Sequence, residues 1–208
     1  YLVINGAISG SFNLTKTGLD TVVLASTLNT YNNTFVDMGV LRIGTNNALP
    51  AGGALTTRYA GTFDLFGFNQ SVAGLGTDDS ATSPGAVSVG SSGRIVNSAH
   101  TDNVLTVNNT ASYTYNGTIE RTVALTKTGV GTLTLAGANT YSGDTKISAG
   151  TILALVSGTL SPNSTLDMDS GTLDLFITTQ TVAGLKGATG TITALDSSTL
   201  TVDQAADT

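Results

Sequence analysis

The chain has 208 residues, of which 40% are hydrophobic and 11% are charged, and its formal net charge is −6. Its eight Lys and Arg residues are dispersed, which excludes the clustered basic surface that a nucleic-acid-binding protein needs. Without cysteine, disulfides and Cys-ligated metal sites are excluded too, and no apolar run reaches the roughly 18 residues of a membrane-spanning helix. The 25 glycines and the many Thr, Ser and Asn residues favour short strands joined by tight turns.

Short strands bounded by turn residues are predicted along the whole chain, and no segment has the apolar period of a helix. In the first half they lie at 2–4, 21–24, 34–36, 40–43, 54–57, 62–66, 71–73, 86–89 and 94–96. In the second half they lie at 105–107, 112–115, 123–126, 132–135, 145–148, 151–154, 165–168, 172–175, 181–183, 191–194 and 200–202.

The sequence repeats itself once. Leu-Thr-Lys-Thr-Gly occurs at 14–18 and at 125–129, Asn-Thr-Tyr at 29–31 and at 139–141, and Val-Ala-Gly-Leu at 72–75 and at 182–185. We therefore interpret residues 1–208 as a single β-helix segment made of two related copies, 1–103 and 104–208. The copies differ in length mainly at 77–85, where we predict a protruding loop or an expanded turn.

A shorter period lies inside the long one. Glycines that open strands recur at intervals of 19–22 residues, at positions 18, 39 and 61 and again at 131, 150, 171 and 190. This spacing predicts an all-β parallel solenoid of about ten rungs, in which equal positions of successive rungs stack into one core. An antiparallel sandwich is the competing fold, but it does not predict the nested repeats. The residues predicted to point inward are Leu41, Ile43, Leu133, Leu135, Ile147, Ile152, Ala154, Leu173 and Leu175, whereas Leu153 is predicted to point outward.

The segment 125–151 reads Leu-Thr-Lys-Thr-Gly-x-Gly-Thr-Leu-x-Leu-x-Gly-x-Asn-Thr-Tyr-Ser-Gly-x-Thr-x-Ile-x-x-Gly-Thr. It resembles the passenger-associated transport repeat, or autotransporter-associated β-strand repeat, of bacterial autotransporters. The match at 14–41 is looser, with Asp20 in place of a Gly and Val40 in place of a Thr. The resemblance implies a right-handed parallel β-helix passenger on a Gram-negative cell, anchored in the outer membrane by a C-terminal β-barrel translocator outside this chain. In that family the repeat is associated with secretion and folding.

Candidate chemistry is sparse. Ser98, the single histidine His100 and Asp102 are close in sequence, but they lie in a polar loop without a nucleophile motif, so we predict no catalytic site. Asp167 and Asp169 lie on one face of a predicted strand, which makes them candidate ligands of a weak calcium site, although a solvated strand face is the simpler interpretation. No cofactor is predicted.

Four further residue types recur in both copies. Lys16 and Lys127 are too far apart for a basic ladder. The tyrosines of the Asn-Thr-Tyr turns, Tyr31 and Tyr141, are expected to pack over the turn rather than stack on sugars. Their asparagines are expected to satisfy backbone groups at a corner in a left-handed conformation. The carboxylates of Asp64 and Asp174 are expected on the solvent face. These paired residues are Lys16 with Lys127, Asn29 with Asn139, Tyr31 with Tyr141 and Asp64 with Asp174.

These observations predict a structural and interaction segment, a secreted or surface-exposed stalk that serves adhesion or aggregation, and not an enzyme. A carbohydrate- or calcium-binding module is the alternative, and a polysaccharide-cleaving β-helix is a weaker one. Possible partners are a host surface, a glycan or a second copy of the chain. The pattern starts and stops inside a repeat, so we expect a piece of a larger protein. In this piece, hydrogen exchange should be slowest at 124–155, and open ends should favour end-to-end association.

Overall fold

The computed structural model describes residues 1–77 and 93–204, and in these residues all regular structure is β. Every strand pair in them is parallel. No described segment forms a helix that could span a membrane. The strands are β1 (Leu2–Ile4), β2 (Leu14–Lys16), β3 (Thr21–Leu24), β4 (Thr34–Val36), β5 (Val40–Ile43), β6 (Ala54–Thr57), β7 (Thr62–Asp64), β8 (Gln70–Val72), β9 (Gly74–Gly76), β10 (Arg94–Asn97), β11 (Asn103–Val107), β12 (Tyr113–Tyr115), β13 (Thr118–Arg121), β14 (Val123–Lys127), β15 (Thr132–Leu135), β16 (Thr145–Ile147), β17 (Thr151–Ala154), β18 (Thr165–Met168), β19 (Thr172–Asp174), β20 (Thr179–Val182), β21 (Gly184–Gly187), β22 (Thr191–Thr193) and β23 (Thr199–Val202).

The strands form a solenoid of about nine turns with three sides. Side 1 is the sheet β1-β3-β5-β7-β10-β13, continued further along the chain by the pair β20-β23. Side 2 is the sheet β8-β11-β14-β16-β18-β21. Side 3 begins as β2-β4-β6-β9 and continues as β12-β15-β17-β19-β22. A hydrogen bond of 3.3 Å from Thr77 N to Thr114 O joins the two parts of side 3. The parallel solenoid predicted from the glycine spacing is confirmed.

Successive turns stack in register, so that equal positions form columns in the core. Leu133 pairs with Ile152, and Ile152 pairs with Leu173 one turn later. All three side chains are fully buried, because alternate residues of a strand point to opposite faces and one face looks into the solenoid. The predicted inward residues are confirmed, since Leu41, Ile43, Leu133, Leu135, Ile147, Ile152, Ala154, Leu173 and Leu175 are at most 3% exposed.

The two copies of the sequence are rotated relative to each other by one side of the solenoid. The Leu-Thr-Lys strand of the first copy, β2, belongs to side 3, whereas its equivalent in the second copy, β14, belongs to side 2. Likewise β3 lies on side 1 and its equivalent β15 on side 3. Equivalent surface residues of the two copies therefore face different directions.

Strand prediction missed four short strands, namely β2, β9, β13 and β21. Two of them, β9 and β21, begin with glycine, which has low strand propensity. At Gly74 the glycine is required by packing, because a Cβ atom there would lie 2.2 Å from the ring of Tyr113. The strand predicted at 86–89 lies outside the described residues, as does nearly all of the loop predicted at 77–85.

Candidate functional site

His100 is exposed in the loop between β10 and β11. The hydroxyl of Ser98 donates to Asp64 Oδ2 at 2.7 Å. No hydrogen bond or ion pair connects His100 to any described residue. A Ser-His-Asp relay requires the imidazole to accept the serine proton, so Ser98, His100 and Asp102 are not assembled as one. The absence of a catalytic site stays a prediction.

Asp64 is buried, and the expectation that it faces solvent is wrong. Its side chain is 2% exposed and lies 2.9 Å from a terminal nitrogen of Arg42. The backbone N–H groups of Phe66 and Ser98 each donate to its Oδ1 at 3.0 Å. A buried carboxylate is stable only with such donors around it. Asp64 therefore fixes the turn that follows β7.

The candidate calcium ligands Asp167 and Asp169 lie on the outside of side 2. Lys146 Nζ is 3.9 Å from Asp167 Oδ2 and 3.3 Å from Asp169 Oδ2. Lys186 Nζ lies 2.6 Å from Asp144 Oδ2, and this hydrogen bond raises the pKa of Lys186. The described residues contain no group of three His, Cys, Asp or Glu side chains that could hold a metal ion. The ammonium group of Lys146 thus competes with calcium for the two candidate carboxylates, and the weak calcium site stays untested.

Lys16 and Lys127 are buried in the corners between sides, a position that sequence reasoning missed. Lys127 is 0% exposed and Lys16 is 6% exposed. Each ammonium group donates to backbone carbonyls of its own turn and of the next turn. Burial lowers the pKa of Lys127 to about 8. The only available signal was that both lysines end a strand at equivalent positions of the repeat.

The paired asparagines satisfy backbone groups, as predicted, and those groups belong to the turns before and after them. Asn29 Oδ1 accepts the backbone N–H of Ile8 at 2.7 Å, and its Nδ2 donates to the carbonyl of Ala48 at 2.7 Å. Asn139 does the same one copy later, accepting from Ile119 at 2.7 Å. Neither asparagine has a positive φ, so the left-handed conformation predicted for them is wrong. They are used because one amide can accept from the turn before and donate to the turn after.

The paired tyrosines belong to the core and cannot meet a sugar. Tyr31 is 2% exposed and Tyr141 is 0% exposed. Their hydroxyls form hydrogen bonds with Thr34 at 3.0 Å and with Thr145 at 2.7 Å. Burial raises the pKa of both phenols to about 12. The packing interpretation is thereby confirmed.

Two exposed phenylalanines adopt a strained backbone conformation at the same turn of each copy. Phe66 has φ of 45° and Phe176 has φ of 52°. Large side chains rarely adopt positive φ, which costs about 1–2 kcal/mol. The carboxylate two residues earlier holds each turn, since Asp174 Oδ1 accepts from Phe176 N at 2.8 Å as Asp64 does from Phe66. Sequence reasoning missed this feature, although Asp-Leu-Phe occurs in both copies.

Phe66 borders an open groove of about 490 Å³ on the outside of side 1. The guanidinium carbon of Arg42 lies 3.9 Å from the centre of its ring. The groove is lined chiefly by Val3, Val23, Arg42, Gly44, Phe66 and Phe68. An exposed ring next to a guanidinium group combines an apolar surface with hydrogen-bond donors. This combination suits a ligand that has both an apolar surface and hydrogen-bond acceptors.

Comparison with known proteins agrees with this structure. The passenger-associated transport repeat family model matches residues 14–43 and 125–154. The chain is similar to serine protease EspP of Escherichia coli and of Escherichia coli O157:H7, with 36% identity over 109 residues. The matched region is 50% of this chain but only 8% of EspP. No solved structure matches the chain.

The matched segments coincide with the turns that hold the buried lysines, asparagines and tyrosines, and these turns form a continuous parallel solenoid. The family model, the similarity to EspP and the fold therefore point to the same identity. The chain is a β-helical repeat segment of an autotransporter passenger.

Proposed function

We propose that this segment is a stalk of a secreted or surface-exposed passenger of a Gram-negative bacterium, that its repeats support secretion and folding, and that its sides serve adhesion or aggregation. The observation that supports this most strongly is the set of side chains bonded from one turn to the next. Asn139 accepts from Ile119 and donates to Thr159 at 2.7 Å each, so it joins three successive turns. A chain built in this way can fold turn by turn from one growing end.

Surface display tests the role in secretion. The 208 residues are placed between a signal peptide and an autotransporter translocator, and passenger exposed on whole cells is measured by antibody binding and protease accessibility. Removing residues 126–145 deletes one turn of the matched repeat and keeps the register, because Thr126 and Lys146 are paired. Removing residues 167–185 deletes one turn outside the match in the same way, because Asp167 pairs with Lys186.

We expect the first deletion to reduce surface exposure several-fold more than the second, while total synthesis stays equal. Equal exposure of the two deletion variants would contradict a special role of the repeat. Adhesion is measured on the same cells as aggregation and as attachment to epithelial layers, against cells that carry the translocator alone. Cells that display the segment but attach and aggregate no more than this control would contradict the adhesive role.

We further propose that the segment has no hydrolytic activity. Its single imidazole has no serine partner among the described residues, and the nearby Ser98 hydroxyl donates to Asp64 instead. The purified chain and its His100→Ala variant are compared on protein, ester and glycan substrates. A turnover that depends on His100 would replace the structural interpretation.

Carbohydrate binding is the second candidate, and the strained Phe66 beside the groove is the observation that favours it. Backbone strain persists where the side chain serves a purpose or is held by its surroundings. Glycan-array binding of the wild-type chain should be lost in Phe66→Ala and retained in Phe176→Ala, a matched change at the equivalent turn. If both variants bind glycans as the wild-type chain does, the groove is excluded as a glycan site.

A further inference from the structure

Two buried lysines share one arrangement at equivalent corners of the two copies. Lys16 Nζ donates to the carbonyls of Thr17 at 2.9 Å, Gly18 at 2.8 Å and Met38 at 3.1 Å. Thr17 and Gly18 belong to the same corner as the lysine, whereas Met38 belongs to the corner one turn later. The ammonium group of Lys16 therefore has acceptors on two successive turns.

The second copy repeats these contacts. Lys127 Nζ donates to the carbonyl of Gly129 in its own corner, and to the carbonyl of Ala149, one turn later, at 3.4 Å. Neither Lys16 nor Lys127 forms an ion pair with a described carboxylate. These two lysines therefore use their donors on the backbone, in contrast to the exposed Lys146 and Lys186.

The corner carbonyls depend on the lysine for a donor. Within the described residues, no backbone N–H outside the strand ladders donates to the carbonyl of Gly18, Met38, Gly129 or Ala149. A buried carbonyl without a donor is destabilising, and Gly129 is buried whereas Ala149 is partly exposed. Replacing Lys127 with an apolar side chain would remove this donor from both oxygens.

Around Lys127, tight packing keeps water from taking the place of the ammonium group. A Cβ atom added to Gly150, in the corner after that of Lys127, would lie 2.2 Å from Gly129 O and 2.7 Å from Lys127 Nζ. In the first copy, a Cβ atom at Gly39 would lie 2.5 Å from Gly18 O. The corner of Lys127 is thus closed by the glycine of the following turn, whereas the corner of Lys16 borders an open groove of about 390 Å³ next to Tyr1.

We propose that Lys16 and Lys127 are internal clamps, each of which joins two successive turns of the solenoid by donating from one ammonium group to carbonyls of both corners. Joining two successive turns is thus the structural role of the lysine in the Leu-Thr-Lys-Thr-Gly motif. It concerns the folded segment alone, so it holds or fails independently of the proposed roles in secretion and adhesion.

Lys127→Met tests the clamp, because methionine matches the length of the stem but has no donor. We expect the melting temperature of the purified chain to fall by about 4–8 °C, as for the loss of about 2 kcal/mol in a chain of this size. Lys146→Met, one turn further on the outside of side 2, removes only surface ion pairs and should shift it by less than about 2 °C. Equal shifts in the two variants would overturn the proposal.

Hydrogen exchange gives a local readout that general destabilisation would not produce. In Lys127→Met, the amides of Ser148, Ala149 and Thr151, which bond across the two corners, should exchange about tenfold faster. In Lys16→Met, the corresponding amides are those of Asp37, Met38 and Val40. Each variant should leave the other corner unchanged, so each serves as the control for the other.

The proposal is overturned if Lys127→Met accelerates exchange at 148–151, relative to the wild-type chain, no more than at 37–40. It is also overturned if both variants accelerate the two corners equally. If Lys127→Met does not fold, the Lys16→Met variant alone decides the question by the same comparison. Lys127→Gln, which keeps an amide donor, should lie between the wild-type chain and Lys127→Met in both measurements. A glutamine variant less stable than the methionine variant would contradict the requirement for a donor.

Discussion

In the first copy, Arg42 points outward beside Asp64 and covers the ring of Phe66, whereas the equivalent position in the second copy is Leu153 beside Asp174. Another outward column reads Lys146, Asp167, Lys186 in the second copy, and in the first it reads Phe35, Thr56, Gly76. Four buried polar side chains are instead the same in both. They are Lys16 with Lys127, Asn29 with Asn139, Tyr31 with Tyr141 and Gln70 with Gln180.

The comparison shows that the interior and the exterior of the repeat are under different physical constraints. Buried polar groups must satisfy the backbone of neighbouring turns, so a change inside breaks several hydrogen bonds at once. Outward side chains that meet water, such as Lys146 and Lys186, can change at little cost in stability. The interior is therefore where substitutions should have large and equal effects in the two copies, and the exterior is where the copies should respond differently.

The largest effect is expected for Gly150→Ala. A Cβ atom there would lie 2.2 Å from Gly129 O, and the residue has φ of +66°, so both space and conformation are unfavourable. We expect a loss of about 4 kcal/mol in the free energy of unfolding, measured by urea titration. Gly158→Ala is the matched control, because its φ is +73° with no atom within 4 Å, and it should cost only about 1 kcal/mol. Equal losses would show that the corner is not closely packed.

Asn139→Ala should lower the free energy of unfolding by about 2–3 kcal/mol, because it leaves the N–H of Ile119 and the carbonyl of Thr159 buried without partners. Asn29→Ala in the first copy removes equivalent bonds to Ile8 and Ala48 and should cost a similar amount. Thermal and urea unfolding of both variants check the equality. A loss confined to one variant would contradict the view that the copies share one interior.

The pH dependence should reveal the buried lysine of the second copy. The folded pKa of Lys127 is about 8 against an ordinary value of 10.5, so the unfolded chain binds more protons between these values. The free energy of unfolding should therefore rise with pH, by about 1–2 kcal/mol between pH 8 and 10. Lys127→Met should show a smaller rise, because burial also lowers the pKa of Lys16, and parallel pH profiles of the two proteins would exclude Lys127 as a source.

The buried tyrosines limit the pH range over which the free energy of unfolding rises. Burial raises the pKa of Tyr31 and Tyr141 to about 12 and also raises that of Tyr115. Above about pH 10 the unfolded chain loses these protons while the folded chain keeps them, so stability falls as the pH increases further. The wild-type chain should consequently be most stable at about pH 9–10.

The smallest effect is expected at the strained phenylalanines, where the exteriors differ. Phe176→Asn should raise the free energy of unfolding by about 0.5–1 kcal/mol, because asparagine tolerates the positive φ of 52°. Phe66→Asn should gain less, because it also loses the contact of 3.9 Å between Arg42 and the ring. The difference between the two variants in urea titrations measures that contact, and a larger gain at Phe66 would contradict it.

Periodicity alone predicted the solenoid and its core. The alternation around Leu133 and the interval from Gly131 to Gly150 were sufficient, because stacking forces equal positions of each turn into one column. The inward direction of Leu41 and Ile43 followed from the cost of burying the intervening Arg42.

The buried polar residues could not be placed in this way. Charge predicts exposure for a lysine, and only the three-dimensional corner shows that backbone carbonyls converge on Lys127. Asp64 was misplaced for the same reason, since its donors come from Arg42 and from Ser98, which is 34 residues away. The positive φ of Phe66 has no sequence signal, because turn patterns predict Gly or Asn there.

The offset of the two copies by one side makes the repeat a screw operation rather than a simple translation along the stalk. An outward feature that occurs once per copy, such as the ring of Phe66 and its equivalent Phe176, therefore winds around the axis instead of forming a stripe along it. The two rings face two of the three sides, so the described residues present them in two different directions and not as one apolar strip.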